Sequence, residues 1–305
     1  MSGPLWTISR VTLGRRLRDV TLALERGVTA VLGHSGAGKT SLLNLLVGFE
    51  EPDSGSVTVH FDRGARTRPL FWAPQDDGLW PHLTAREHLA AMGSARADEL
   101  LEEFELSGRA AALPRVLSRG ERARLAAARA VAADAAVLVM DEPLAHVDPS
   151  RTGKYWRVLR RHLDEAGASL VFATHAPETV LGEARQVICL KEGAVLYAGG
   201  VGDLYGAPAT AELAACMGEA NWLEPDEARL WLQREEAVAR CFRPEQVQVR
   251  PAADGPLIVE DSRFRGAVAE VVLRHASAGA VRRFWHRPAG GHLAAGARVL
   301  VEVAL

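Results

Sequence analysis

Four mostly apolar runs mark the first 175 residues: Val28–Leu32, "PLFWA" at 69–73, Ala135–Met140 and "SLVFAT" at 169–174. Each is short, rich in β-formers and free of polar alternation, which predicts buried strands of a parallel sheet. Elsewhere the period lengthens. "SLLNLLVGF" puts Leu42, Leu43, Leu45 and Leu46 on one helical stripe that ends at Gly48, a plausible C-cap. "LTAREHLAAM" and "ADELLEEFEL" carry the 3.6-residue period of helices. "LSRGERARLAAARAV", residues 117–131, predicts a helix with Ser118 as N-cap and Glu121 closing a capping box. After Tyr205 the pattern changes: "ATAELAACMGEANWLE" predicts a connector helix followed by a turn. Short alternating runs come next, "AVARCF", "VQVRP", "GAVAEVVLR", "AVRRFWH" and "ARVLVEV", split by Gly, Pro and Asp. That spacing predicts a small β-barrel. The chain thus divides into an α/β domain over 1–205 and a connector with a small β domain over 206–305.

Composition changes this picture little. A chain of 305 residues can fill more than one core, in line with that division. Hydrophobic residues at 48% and charged residues at 24% describe an ordinary soluble globular protein. A formal net charge of -2, from 36 basic and 38 acidic residues, supplies no long-range field for nucleic acid or an anionic membrane. No nucleic-acid partner is therefore expected, and the basic cluster Arg119, Arg122, Arg124 and Arg129 reads as the solvated face of a helix. Cys189, Cys216 and Cys241 lack metal-ligand spacing and are odd in number, which predicts apolar packing residues in a reduced compartment. "MSGPLWTISR" has neither the basic nor the apolar region of a signal peptide. The alanine-rich stretch "LAAARAVAADAAVLVM" is interrupted by Arg129 and Asp134, so no membrane segment is expected.

The chemistry begins between the first strand and its helix. Gly33-His34-Ser35-Gly36-Ala37-Gly38-Lys39-Thr40 fits the phosphate-loop pattern G-x-x-x-x-G-K-[ST] without a mismatch. Glycines let backbone N–H groups turn toward phosphate oxygens, and the following helix N-terminus favours negative charge. Lys39 is suited to neutralise the β- and γ-phosphates and Thr40 to ligate Mg²⁺. The Ala135–Met140 run ends in Asp141-Glu142, and a parallel strand delivers both carboxylates to the edge that carries the phosphate loop. Asp141 is placed to hold Mg²⁺ and Glu142 to accept a proton from the attacking water. His175 ends the run at 169–174 and is read as a γ-phosphate contact; Gln75 ends the run at 69–73, within reach of Mg²⁺ or water. Ser118 and Gly120 make the N-terminus of the later helix a second anion site.

Taken in chain order, these segments resemble the ATP-binding subunits of ABC transporters, over about residues 4–205. The loop through Ser41 resembles Walker A, "APQDDGLWPHLT" the Q-loop, "LSRGERARLAAARA" the signature, "VLVMDEP" Walker B, "AHVD" the D-loop ending at Asp148, and "ATH" the switch-histidine loop. The resemblance implies an α/β P-loop NTPase with a RecA-like core and an inserted helical subdomain at about 76–130. It implies ATP and Mg²⁺ as cofactors and a head-to-tail homodimer in which Ser118 and Gly120 meet the partner's γ-phosphate. Integral membrane permease subunits would dock on the helical subdomain near Trp80 and Pro81, at the cytoplasmic face of the membrane, although Trp80 equally fits the subdomain's own core. "MGEAN" and "CFRPEQVQV" resemble the C-terminal TOBE/OB-like domain of importer ATPases, which implies import of a small solute and a solute-binding protein. The solute would be an oxyanion such as molybdate or sulfate, or iron, a polyamine or a sugar. Exporter ATPases and soluble ABC-type ATPases are the alternatives.

Several positions depart from the family. Arg119 replaces a signature glycine and Glu121 a glutamine, so Arg119 either touches nucleotide or points outward, while Glu121 sets a negative charge beside the triphosphate. No aromatic residue stands near Leu13, where the family stacks adenine, and Trp6 reads as a core residue. His146 is unusual in a D-loop. "RHASAGAVRR" in the last domain reads as a polar hairpin or as an anion site.

Overall fold

The computed structural model describes residues 3–61, 68–288 and 293–304. Its contacts divide the chain into two units, Met1–Val201 and Gly202–Leu305.

In the first unit β1 (Trp6–Leu13) and β2 (Leu17–Leu24) pair antiparallel, and β3 (Val28–Leu32) leads into α1 (Lys39–Val47). After β4 (Ser54–Val59) and β5 (Arg68–Ala73) come α2 (Ala85–Ala90), α3 (Ala97–Glu103) and α4 (Arg119–Ala132). The remainder is β6 (Ala135–Asp141), α5 (Pro149–Ala166), β7 (Ser169–Thr174), α6 (Pro177–Glu183), β8 (Gln186–Lys191) and β9 (Ala194–Gly200). A six-stranded sheet has the order β5-β6-β7-β3-β8-β9, with only β9 antiparallel to its neighbour. The strands β2, β1 and β4 form a separate antiparallel sheet.

Every residue of β7 and four of the five in β3 are buried, which is why these strands read as unbroken apolar runs. Leu42 and Leu43 of α1 are fully buried in the core that holds Val137, Val139, Val171 and Ala173. Gly48 caps that helix in the left-handed region (φ 77), donating to Asn44 and Leu45. Because β5, β6, β7 and β3 run parallel, their C-terminal ends bring Gln75, Asp141, His175 and the phosphate loop to one edge of the sheet.

The solvated-face reading of α4 is corrected for two of its arginines. Arg124 and Arg129 are 9% and 3% exposed. Arg124 Nη1 donates to the carbonyls of Phe104 (2.7 Å) and Glu105 (2.9 Å), and Arg129 donates to those of Gly78 (2.5 Å) and Asp77 (3.1 Å). Loop carbonyls replace water as acceptors, a use of arginine that helical periodicity cannot reveal.

The second unit opens within α7 (Val201–Gly206) and continues with α8 (Ala211–Cys216), the latter capped by Thr210. The chain turns at Gly218 into β10 (Asn221–Leu223), then α9 (Pro225–Leu232) and β11 (Arg240–Phe242), which pairs with β10. Five strands follow: β12 (Val247–Pro251), β13 (Leu257–Phe264), β14 (Ala269–His275), β15 (Val281–His286) and β16 (Arg298–Val303). They form an antiparallel sheet of order β12-β16-β13-β14-β15, and Arg287 N–H donates to Val247 O (3.0 Å) across its two edges. Alternate residues such as Val249, Val259, Val271, Leu273, Phe284 and Val301 fill the interior. The "RHASAGAVRR" hairpin has its arginines already paired: Arg274 with Glu260, Arg282 with Glu227 and Arg283 with Glu270. It is a polar hairpin. No helix among the described residues is long and apolar enough to cross a membrane.

Candidate functional site

The phosphate loop is organised around its lysine. Lys39 is 8% exposed; its Nζ donates to Gly33 O (2.7 Å) and His34 O (3.3 Å) and lies 4.0 Å from Glu142 Oε1. The ammonium is thereby held across the mouth of its own loop. Gly38 adopts φ 105, and a Cβ there would meet Arg16 O at 2.6 Å, so both conformation and packing demand glycine. Within the same loop Ala37 is buried.

Thr40 Oγ1 donates to Asp141 Oδ2 at 2.6 Å. Asp141 is 5% exposed, and burial pushes its carboxyl above the usual range against the pull of the Thr40 hydrogen bond; Glu142 pushes it further up and Lys39 draws it down. A buried carboxylate beside a hydroxyl is an all-oxygen donor pair that favours an added hard cation. Gln75 is exposed and borders the same groove as Thr40. Glu142 stands in the left-handed region (φ 51) with its N–H on Ala173 O (3.0 Å), and His175 Nδ1 donates to Glu142 Oε1 at 2.8 Å. A strained, non-glycine backbone at the end of β6 thus aims the carboxylate at the histidine and the lysine.

Ser118, Gly120 and Asp148 gather elsewhere. Ser118 Oγ accepts from Glu121 N–H (3.2 Å) while Glu121 Oε2 accepts from Ser118 N–H (2.8 Å), completing the predicted capping box. The Glu121 carboxyl is held below its usual range by the Ser118 backbone N–H and by Arg109, whose Nε donates at 2.9 Å. Its charge is therefore met within the chain, which removes the objection to a glutamate in this signature. Gly120 has a local reason to lack a side chain, since a Cβ would stand 3.0 Å from His146 O. That carbonyl is what the D-loop histidine contributes to this region. Asp148 caps α5, accepting from Ser150 N–H (2.8 Å) and Oγ (2.6 Å). Among the described residues no hydrogen bond or ion pair joins this group to the phosphate loop. Arg119 is exposed and makes no ion pair among the described residues.

Sequence reasoning missed several supporting residues. Arg16 pairs with Glu50, and its Nη1 lies 3.4 Å from Ser41 Oγ, beside the phosphate loop. Arg109 quenches Glu121, and Arg122 pairs with Asp77 at 3.4 Å. All are ordinary surface arginines in the sequence, with partners remote along the chain. Trp6 is fully buried, donating Nε1–H to Leu46 O (3.1 Å), as its core reading requires. Trp80 is 38% exposed and stacked on His88 at 5.6 Å, which makes it neither a free loop residue nor a core residue.

A parallel strand that feeds a glycine loop, with its lysine facing an Asp-Glu pair on a strand of the same sheet, defines a P-loop nucleotide-binding α/β protein. Residues 17–145 match the ABC transporter family. The chain is 34% identical over 277 residues to the sulfate/thiosulfate import ATP-binding protein CysA of Gloeobacter violaceus, spanning 84% of this chain and 80% of that protein. It is 31% identical over 277 residues to the Fe(3+) ions import ATP-binding protein FbpC of Pseudomonas fluorescens, spanning 80% and 79%. A solved ATP-binding subunit of an ABC transporter shares the fold, with a TM-score of 0.60 at 23% identity over 70% of this chain and 100% of that chain. The chain belongs to the ATP-binding subunits of ABC transporters, and its activity is ATP hydrolysis.

Proposed function

We propose that this chain is the energy-coupling subunit of an ABC importer, closing as a head-to-tail homodimer over Mg·ATP. The observation that carries the reading is the Lys39–Glu142–His175 constellation beside the Thr40–Asp141 hydrogen bond. On nucleotide binding Lys39 exchanges its two loop carbonyls for phosphate oxygens of ATP. Thr40, Asp141 and Gln75 would hold Mg²⁺, which neutralises charge on the phosphates. Glu142 accepts the proton of the water that attacks the γ-phosphorus, and His175 keeps Glu142 oriented through its Nδ1–H. Ser118 and Gly120 of the partner copy, with Asp148 of its D-loop, close the other side. The backbone amides of Gly33 to Ser41 cradle the phosphates, and Arg16 flanks that cradle.

Permease subunits in the membrane and a solute-binding protein are the natural partners, with this chain at the cytoplasmic face. The two relatives named above are import subunits for sulfate/thiosulfate and for Fe(3+), which supports import of a small inorganic solute. Glu142→Gln tests the reading: it should bind Mg·ATP, accumulate as a dimer in gel filtration, and lose on the order of 10²-fold or more in phosphate release. Normal turnover by that variant would defeat the assignment of Glu142.

A further inference from the structure

The loop after β5 holds two successive residues in the left-handed region, Asp77 (φ 68) and Gly78 (φ 55). Aspartate enters that region more readily than most side chains, and the loop helps itself through Asp77 N–H on Pro74 O (3.0 Å) and Gly78 N–H on Asp76 Oδ1 (3.2 Å), but its two outward carbonyls are met from outside the loop. One side chain takes both carbonyls: Arg129 Nη2 donates to Asp77 O (3.1 Å) and Nη1 to Gly78 O (2.5 Å). The guanidinium lies over the rings of Trp80 and Phe71, 5.1 and 5.5 Å from their centroids. It is 3% exposed, and its Nε is buried without an acceptor, so its hydrogen bonding is spent on the two loop carbonyls. Arg122, two helical turns earlier on α4 and therefore on the same face, pairs its Nε with Asp77 Oδ2 (3.4 Å). Two arginines of one helix grip one loop.

Ser118 caps that helix, and the loop carries Gln75, which borders a groove with Thr40 and Arg129. We propose that Arg129 is a positioning residue for ATP hydrolysis: by clamping the carbonyls of Asp77 and Gly78 it joins α4 to the Gln75 loop as one body. Gln75 is then presented to the Thr40–Asp141 site in fixed register with Ser118. The inference rests on the roles given above to Gln75 and Ser118. Arginine suits the task because its planar fork reaches two carbonyls while its face stays on the rings; a lysine ammonium serves one carbonyl and stacks poorly.

The test compares Arg129→Met and Arg129→Lys in the full chain, measuring nucleotide affinity and steady-state phosphate release across a Mg²⁺ titration. Arg129→Met should bind ATP within about twofold of the native chain yet lose about tenfold in kcat, as expected when a ligand-bearing loop drifts by a fraction of an ångström. Its half-activating Mg²⁺ concentration should rise, and Arg129→Lys should recover part of the kcat. A folded Arg129→Met with turnover within about twofold of native would overturn the proposal. So would loss of ATP binding, turnover and thermal stability together in both variants, the mark of a purely structural residue. Lys39→Ala separates the two failures. If it keeps ATP binding and turnover, the reading of the site falls and the proposal with it; if it loses them while Arg129→Met stays near native, only the proposal falls.

Discussion

The imidazole of His88 is fully buried, and both its nitrogens are engaged. Nδ1–H donates to Thr84 O (2.8 Å), which leaves Nε2 to accept from Trp80 N–H (2.8 Å) and fixes the neutral tautomer. Burial holds this histidine below its usual pKa; the Thr84 carbonyl and Glu87 oppose that shift, while Arg129 and His82 add to it. A group whose folded value is depressed contributes fully above its unfolded value of about 6.5 and loses that contribution as pH falls through the folded one. Thermal stability should therefore decline from pH 7 toward pH 5, and His88→Leu should flatten that decline while costing about 1–3 kcal/mol at neutral pH. An unchanged pH profile in His88→Leu would show that the native decline arises elsewhere. Such pairings are hard to read from residues alone. The phosphate loop was legible because its lysine and the carbonyls that hold it lie within six residues. Arg129 and its acceptor Gly78 are 51 positions apart, and nothing in "AAARAV" distinguishes a clamp from a solvated arginine.

At the scale of elements, α1 turns packing into site geometry, since it carries Lys39 and Thr40 on its first turn and packs on β6 and β7. Leu42 and Leu43 are fully buried in that contact. Leu42→Ala should lower stability by about 2–5 kcal/mol, read as a shift of the urea midpoint, because the rigid sheet beneath cannot collapse into the space. A loss below about 1 kcal/mol would mean that α1 is not what fixes the loop. Elements with one unbroken signal, such as β3, β6 and β7, were visible in the apolar pattern. The strand β13 was not among the predicted runs, although it bonds to both β14 and β16. A register shift between Val259 and Asp261 breaks its alternation, so "LIVEDSRF" presents two inward residues and then polar ones. Nor did periodicity announce β10, whose Asn221 bridges Phe242 O (3.1 Å) and Trp285 O (2.7 Å) from segments distant in sequence.

For the whole molecule the decisive feature is that, among the described residues, no hydrogen bond or ion pair joins the phosphate loop to the Ser118 helix. In a two-fold homodimer each site would draw its lysine from one copy and its serine from the other, so the two halves can be inactivated separately. Lys39→Ala removes the ammonium. Ser118→Asp keeps a good N-cap for α4 while setting a carboxylate against the phosphate, so the helix survives and the anion site does not. Each variant alone should be inactive. Mixed in equal amounts and allowed to exchange subunits, half of the dimers carry one variant of each kind, and each of those holds one site with native Lys39 and native Ser118. Phosphate release should return to about a quarter of the native rate per dimer. A site contained in a single chain permits no such recovery, so a mixture that stays inactive after subunit exchange would rule out closure across two copies. Rescue by mixing is a sharper readout than dimerisation alone, because an association that leaves Ser118 far from the partner's Lys39 restores nothing.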